Sequence, residues 1–584
     1  MQRFMSDLAQ DIADLKQTSE NLTDLTSENS EAWDSLLMSA ESIYGRLGHL
    51  SSYLSCLESA DSKNEDYALG RATLIRFYAA FEKIDIDILR VFKKLSKNRF
   101  ASFIQRSGME DIAHHLRRWR ERSRYTMSPK EEALASDMNI DGLSAWGRLY
   151  DKITGKLEFE FVTKDGHAKQ LPISQWRSLM SNPDRDIGRA AFEGGNRAWQ
   201  SIEDTCAAAL NAIAGNRLTL YRHRGVKHFM DQALFGAATS SKTLEAMYKA
   251  VYQNLDTARD ILRNKAQFFG RSGIWFFERE APLPLKNSRT FDWEEAVDMV
   301  RRAFELSYPA LADYFGKMLK TRWIESEART GKRPGAFCTG SSLIEEQRVY
   351  MTYNGTLGDI LTLAHEVGHA WHGYLLKGAR PFARRYPMTL AETASIFAEH
   401  LLIDGMYKDE RLDNQQKFGL LDSELTDAAV FLLDITTRFE FEKAFYEERQ
   451  EGEVSVSRFK ALMTETQRKI YGNVLVIDGE DPYFWASKLH FFITETTFYN
   501  FPYTFGYLLA RALFLRYRLK GVEFIPEYET FLRLSGGDTV EKVSQRALKS
   551  DLTDSTFWVQ AIHSLTEPLE RYRKEIARER ERQS

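Results

Sequence analysis

Two histidines four residues apart with a glutamate between them, His365, Glu366 and His369, spell the pattern H-E-x-x-H. On an α-helix, positions i and i+4 share a face, so both imidazoles converge on one point and Glu366 flanks it. Neutral imidazole is a good zinc ligand, and a site with three protein ligands leaves a fourth position for water. The chemistry implied is hydrolysis: Glu366 takes the proton of a metal-activated water as that water attacks a carbonyl polarised by the same ion. The bland alternative is a pair of hydrogen-bonded surface histidines. A metzincin signature is excluded, because the places where it needs a glycine and a third histidine hold His372 and Leu375.

Two imidazoles need a third ligand. Downstream, Met388-Thr-Leu-Ala-Glu392-Thr-Ala-Ser-Ile-Phe-Ala-Glu399-His400 reads as a second helix, with Glu392 and Glu399 seven apart on one face. A carboxylate on a face otherwise made of Ala, Ile and Phe costs free energy unless it is paired or bound to metal. Two readings stand for Glu392: zinc ligation, or a capping box with Thr389 that merely bonds the helix N-terminus. The missing ligand upstream favours ligation. Glu399 then serves as acceptor for the outer N–H of a ligand imidazole. His372 continues the row of His365 and His369 and lies close enough to support the site. It is not expected as a ligand, because three consecutive turns cannot aim at one tetrahedral ion without strain.

The elements that must position these groups follow from periodicity and turn chemistry. The metal helix should run from about Leu361 to Leu376. Gly368 and Gly373 are its only strongly unfavourable residues, no proline interrupts it, and Lys377-Gly378 supplies a stop. Residues 356–403 hold two helices separated by Gly378 to Pro387. Residues 1 to about 125 read as long amphipathic helices through Leu47, Leu50, Leu54, Leu57 and then Ile75, Tyr78, Phe81, Ile84, Ile88. The period changes to two in LEFEFV, and with Lys164-Asp165-Gly166 and AKQLPI this predicts a β-hairpin near 155–175. Further helices fill Pro183 to Gly316, with breaks near Gly270 to Gly273 and at Ala281 to Ser288. QRVYMTYNG predicts a strand near 347–354, just before the metal helix. The remainder is helical and ends in a charged tail, so the fold class expected is mainly α with small β elements.

Composition excludes several function classes. The 584 residues are 43% hydrophobic and 28% charged, an ordinary globular balance. A net charge of −4 provides no broad basic field, so neither nucleic acid nor an anionic membrane is expected as partner. Cys56, Cys206 and Cys338 form no C-x-x-C pair, which argues against a disulfide framework or a thiolate zinc site and fits a reducing compartment. The N-terminal MQRFMSDLAQDIADLKQ carries acids early and no unbroken apolar run, so no signal peptide is expected. The longest apolar stretch, Phe498 to Leu515, is interrupted by Asn500, Pro502 and Arg511. A cytoplasmic location follows as the expectation.

Beyond the metal helix, several segments resemble the oligoendopeptidase F family of zinc metallopeptidases, relatives of thimet oligopeptidase. These are AHEVGHAWH, AETASIFAE, LHFFITETTFYNFPYTFGYLLA, RPGAFC, RVYMTYNGT, LSGGDTVEKV and LTDSTFW, and the resemblance extends over most of residues 200 to 570. The resemblance implies a two-lobed, ellipsoidal helical enzyme around a deep central channel that cleaves short peptides. It implies one Zn2+ per chain, held by His365, His369 and Glu392, with Glu366 as general base. It also implies that a C-terminal His and Tyr hydrogen-bond the substrate carbonyl and the developing oxyanion; the matching segment offers His490, Tyr503 and Tyr507. Arg348 to Gly355 is expected as an edge strand that pairs with the peptide backbone.

The reading reached is a zinc-dependent endopeptidase of short oligopeptides, monomeric or a homodimer. Its division is expected as an N-terminal helical lobe, 1–195, carrying the hairpin, and a zinc peptidase domain, 196–584. The enzymatic rival is a carboxypeptidase or dipeptidyl carboxypeptidase on the same scaffold. The rival from another class is a non-catalytic peptide-binding helical protein with a vestigial zinc site.

Overall fold

The structure is a computed structural model and describes residues 1–285, 289–333 and 335–583. Its architecture is mainly α, with two small sheets, as the periodicity predicts. The chain folds into two compact units that it visits alternately. One comprises Met1–Thr126, Arg289–Lys408 and Arg516–Ser550; the other comprises Met127–Ser288, Asp409–Leu515 and Asp551–Ser584. The division expected between residues 195 and 196 falls inside the helix Arg185–Ser201, within the second unit.

The first unit opens with the helices Gln2–Asn21, Ser30–Ala60 and Glu65–Lys94. Leu8, Ile12 and Leu15 from the first, Leu47, Leu50 and Leu54 from the second, and Leu74, Phe81, Ile84 and Ile88 from the third share one apolar core. Removing such side chains from water drives the packing, at about 25 cal/mol per Å². The expected stripe is off by one residue at its start. Ile75 is 60% exposed and Leu74 is buried in its place, because the row 74, 81, 88 steps by two full turns and holds the same face.

The same unit carries the sheet and the two helices of interest. Phe337–Ser341 pairs antiparallel with Glu346–Tyr350, and Ile324–Glu325 pairs parallel with the other side of Glu346–Tyr350. The strand expected near 347–354 therefore exists, but as the central strand and ending at Tyr350. Its expected role as an edge is corrected: Ile324–Glu325 pairs with its second side at Val349 and Tyr350, so Ile324–Glu325 and Phe337–Ser341 are the two edges.

Next comes the helix Leu357–Leu375, opened by a capping box in which Thr356 and Asp359 satisfy each other's backbone amides. Arg533 donates to the Leu375 carbonyl at its far end. After the loop of Gly378 (φ +80°) to Pro387 follows the helix Met388–Lys408. That loop is tied to the N-terminal helices. Phe382 is 1% exposed and stacks on His115 with ring centroids 4.2 Å apart, while Glu41 accepts from Arg380 Nε and from the Phe382 amide.

The second unit contains the predicted hairpin, Glu158–Val162 against Ala168–Pro172, turning at Gly166 (φ +81°). Phe159 and Phe161 face inward while their neighbours are exposed, the alternation of a strand with one buried face. The helix Arg185–Ser201 lies directly on it: a Cβ on Gly194 would sit 2.0 Å from the Glu160 carbonyl oxygen. The expected break near Gly270 is present, where the helix Leu255–Phe268 ends and Gly270 turns with φ +68°. Of the break expected at 281–288, residues 286–288 lie outside the described residues. Among the described residues, no helix is long and apolar enough to cross a membrane.

Candidate metal centre

Glycine sets the spacing of the two helices that carry the site. On the Leu357–Leu375 helix, Gly368 leaves room for the backbone of the Met388–Lys408 helix: a Cβ there would lie 2.5 Å from the Ala394 carbonyl oxygen and 2.7 Å from Ser395 Cα. Gly373 does the same toward the sheet, where its Cβ would meet the Gln347 amide at 2.6 Å. The residues that cost the helix intrinsic propensity are thus the ones that let it pack closely.

Across this gap three donor atoms meet. His365 Nε2 lies 3.2 Å from His369 Nε2 and 3.4 Å from Glu392 Oε2, and His369 Nε2 lies 3.5 Å from the same oxygen. Among the described residues these three form the one group of metal-ligating side chains at such range. Ligand bonds of about 2.0–2.1 Å at tetrahedral angles place donors about 3.3 Å apart, so the triangle fits a zinc-sized ion. Glu392 is not a helix cap. The helix begins at Met388, which puts Thr389 inside its first turn, and Ser395 Oγ donates to Glu392 Oε2 at 2.9 Å.

Around the triangle, charges are balanced closely. Glu399 Oε1 lies 2.5 Å from His365 Nδ1, the contact expected of an acceptor that fixes a ligand imidazole. Burial works against the charged form of His365, but Glu399, Glu392 and Glu366 together lift it to about 9. Burial and the His365 charge push His369 the other way, to about 4. Glu366 is 5% exposed, and burial raises it to about 7 against the pull of His365 and of the Cys338 backbone amide. Its Oε2 is buried with no hydrogen-bond partner, a cost of about 1–3 kcal/mol unless a bound group satisfies it. His372 is fully buried and turned elsewhere, with Nε2 2.9 Å from Ser535 Oγ and its ring stacked on Tyr386.

The C-terminal residues expected at the site lie in the second unit and do not form one group. His490 and Tyr503 rings are parallel at 6.0 Å, and Tyr499 joins them edge-on at 5.0 Å from His490. Tyr507 stands apart: it is 2% exposed, its ring stacks on Phe431 at 4.6 Å, and Arg511 lies 5.8 Å from the ring. The helix Phe501–Lys520 explains this, since positions 503 and 507 are one turn apart but only the first turn borders His490. Tyr499 was not singled out by the sequence because it precedes that helix, at the left-handed Phe498 (φ +52°). His490 is held by a neighbour on the chain. Its Nδ1 donates to Asn500 Oδ1 at 2.8 Å, and burial holds its conjugate acid down at about 4, so the neutral ring offers Nε2 as an acceptor.

Comparison with known proteins places these features in a family. The profile of peptidase family M3 matches residues 178–563, and that of oligopeptidase F matches residues 92–159. An oligoendopeptidase F homolog of Lactococcus lactis subsp. lactis is 24% identical over 511 residues, covering 86% of this chain and 83% of its own. A group B oligopeptidase of Streptococcus agalactiae is 23% identical over 567 residues, covering 94% and 92%. The fold is that of a Chlamydophila abortus protein of known structure, with TM-score 0.79, 20% identity and 97% of each chain covered. It is also that of oligoendopeptidase F from Enterococcus faecium, with TM-score 0.72, 17% identity and 98% of each chain covered. With a profile match that spans most of the chain and includes both metal-site helices, this protein belongs to peptidase family M3.

Proposed function

We propose that the chain is a zinc-dependent endopeptidase that hydrolyses internal peptide bonds of short oligopeptides. The observation that carries the reading is the triangle of His365, His369 and Glu392 with Glu366, buried and holding an unpaired oxygen, beside it. Two imidazoles and one carboxylate suit zinc, and three ligands rather than four suit catalysis rather than a closed structural site. Bound there, the ion would supply Lewis-acid polarisation of the scissile carbonyl and acidify water.

The chain's own groups do the rest. Glu366 accepts the proton of the attacking water and returns it to the leaving amine, a task suited to a carboxyl poised at about 7. Glu399 holds the His365 ring in place. Tyr503 is assigned as a phenol donor to the oxyanion, and His490, with Nε2 free to accept, as a partner for a peptide N–H. Tyr507 is given a packing role, because a side chain 2% exposed does not reach substrate. A cytoplasmic setting, with short peptides as substrates and neither nucleic acid nor membrane as partner, belongs to the same proposal.

The test is digestion of a mixed peptide library, free and C-terminally amidated, with and without a chelator, read by mass spectrometry. Internal cuts in amidated peptides that vanish on chelation support the reading. Cuts confined to peptides with a free carboxylate favour the carboxypeptidase alternative, and chelator-resistant cleavage contradicts the metal chemistry.

A further inference from the structure

Inside the second unit, three cations surround one aromatic ring. Lys488 Nζ, Arg279 Cζ and Arg438 Cζ lie 5.0, 5.2 and 5.6 Å from the centroid of Phe484. Each of the three side chains belongs to a residue at least nine-tenths buried, with exposures of 7%, 7% and 5%. Arg177, whose guanidinium donates to the Ser487 carbonyl, adds a fourth positive charge nearby. Three acids oppose these four cations, and one oxygen among them, Asp434 Oδ1, is buried without a hydrogen-bond donor. Asp434, delivered by the π-helical turn Val430–Asp434, is paired with Arg438 and lies 3.6 Å from Arg279 Nε. Glu280 pairs with Arg279 at 2.7 Å, and Asp481 accepts from the Tyr483 amide.

What remains is an excess of donors. Among the described residues the Lys488 ammonium makes no hydrogen bond or ion pair, its contact being the Phe484 ring, and Arg438 Nε is buried without an acceptor. Burial and the Arg438 charge push the Lys488 ammonium well below the usual lysine range. A buried ammonium in that state is stabilised by an anion brought to it. The group also connects to His490, which the proposed function assigns to substrate: Asn500 Oδ1 accepts from both His490 Nδ1, at 2.8 Å, and Arg438 Nη1, at 3.5 Å.

We propose that Lys488, supported by Arg438 and Arg279 around Phe484, holds a carboxylate of the bound peptide. The inference rests on the peptidase reading only in taking His490 to meet substrate. A carboxylate matches the site better than a neutral group, because it supplies an acceptor to the Lys488 ammonium and offsets the extra positive charge.

The experiment uses three peptides with one cleavable sequence: a free C-terminus, a C-terminal amide, and the amide with Asp as last residue. The wild type, Lys488→Met and Lys488→Arg are compared by kcat/KM. The wild type is expected to favour the free acid over the amide by about tenfold, and Lys488→Met to bring that ratio to about one. Lys488→Arg should keep most of the preference, which shows that the charge rather than a folding defect is read. If the Asp-bearing amide matches the free acid, the site takes any peptide carboxylate; if it matches the plain amide, the site takes the C-terminus alone. An acid-to-amide ratio that is the same in wild type and Lys488→Met overturns the proposal. Fluorescence anisotropy of the same peptides on Glu366→Gln reads binding without turnover. Tighter binding of the acid there, lost on adding Lys488→Met, sustains the carboxylate site even if the peptidase reading fails.

Discussion

Gly368 and Ala394 are in near contact: no side-chain atom fits between the Cα of one and the carbonyl oxygen of the other, since a Cβ would sit at 2.5 Å. The atom in the way is backbone and cannot rotate aside. This contact fixes how far Glu392 stands from the two imidazoles, two residues before Ala394 on its own helix.

Gly368→Ala is therefore expected to push the helices apart and take Glu392 off the triangle. Helix propensity alone would favour the substitution by roughly 1 kcal/mol, whereas overpacking costs about 1–3 kcal/mol, so the packing effect decides the sign. A ligand displaced by about 1 Å should lower kcat/KM about 100-fold. Metal content by atomic spectroscopy and a melting curve check both parts. A variant with full metal and full activity would show that the contact does not set the site.

Glu442 predicts a pH-dependent stability in the second unit. It is 4% exposed and accepts from the Phe498 amide at 2.8 Å, and burial raises it from the usual 4.5 to about 7, against the pull of that amide and of Arg217. In the folded chain it keeps its proton at pH values where the unfolded chain has lost it. Its contribution is fully present below about 4.5 and is lost as pH rises through about 7, a change on the order of 3 kcal/mol. Melting midpoints of the wild type and Glu442→Gln should diverge between pH 5 and pH 8, with the wild type losing ground at the higher pH. Parallel curves would remove Glu442 as the cause.

Tyr503 and Tyr507 should separate by which property they change. Tyr503→Phe removes the assigned oxyanion donor and should lower kcat by about 10²-fold or more with little effect on KM. Tyr507→Phe alters a buried phenol and should shift the melting midpoint while kcat stays within about threefold. The reverse pattern would return the donor role to Tyr507.

The candidate metal cluster was legible because its side chains come from two short segments with fixed helical spacing, i and i+4 for the histidines and i and i+7 for Glu392 and Glu399. The apolar company of Glu392 singled it out as the third member of that cluster. Features built from distant segments were not legible. Ile324–Glu325 turns the strand at Glu346–Tyr350 from an edge into a centre by a two-residue parallel pairing, too short to leave a sequence pattern. The alternation between two units depends on contacts such as Trp371 with Tyr308 and Arg533 with Leu375, which no local period records. The burial of Arg279, Arg438 and Lys488 together is likewise a product of distant segments, with no local pattern to mark it. Ile75 shows the limit of stripe reading, since adjacent apolar residues compete for one face and packing alone chose Leu74.

The most direct test of the central claim is Glu366→Gln, assayed for bound zinc and for hydrolysis of one internally quenched peptide. The amide keeps the shape of the side chain and an acceptor for the Cys338 amide, but cannot take a proton. The account predicts about one zinc per chain, an unchanged melting curve and a loss of kcat of about 10³-fold or more. Turnover equal to that of the wild type, with zinc still bound, would contradict it.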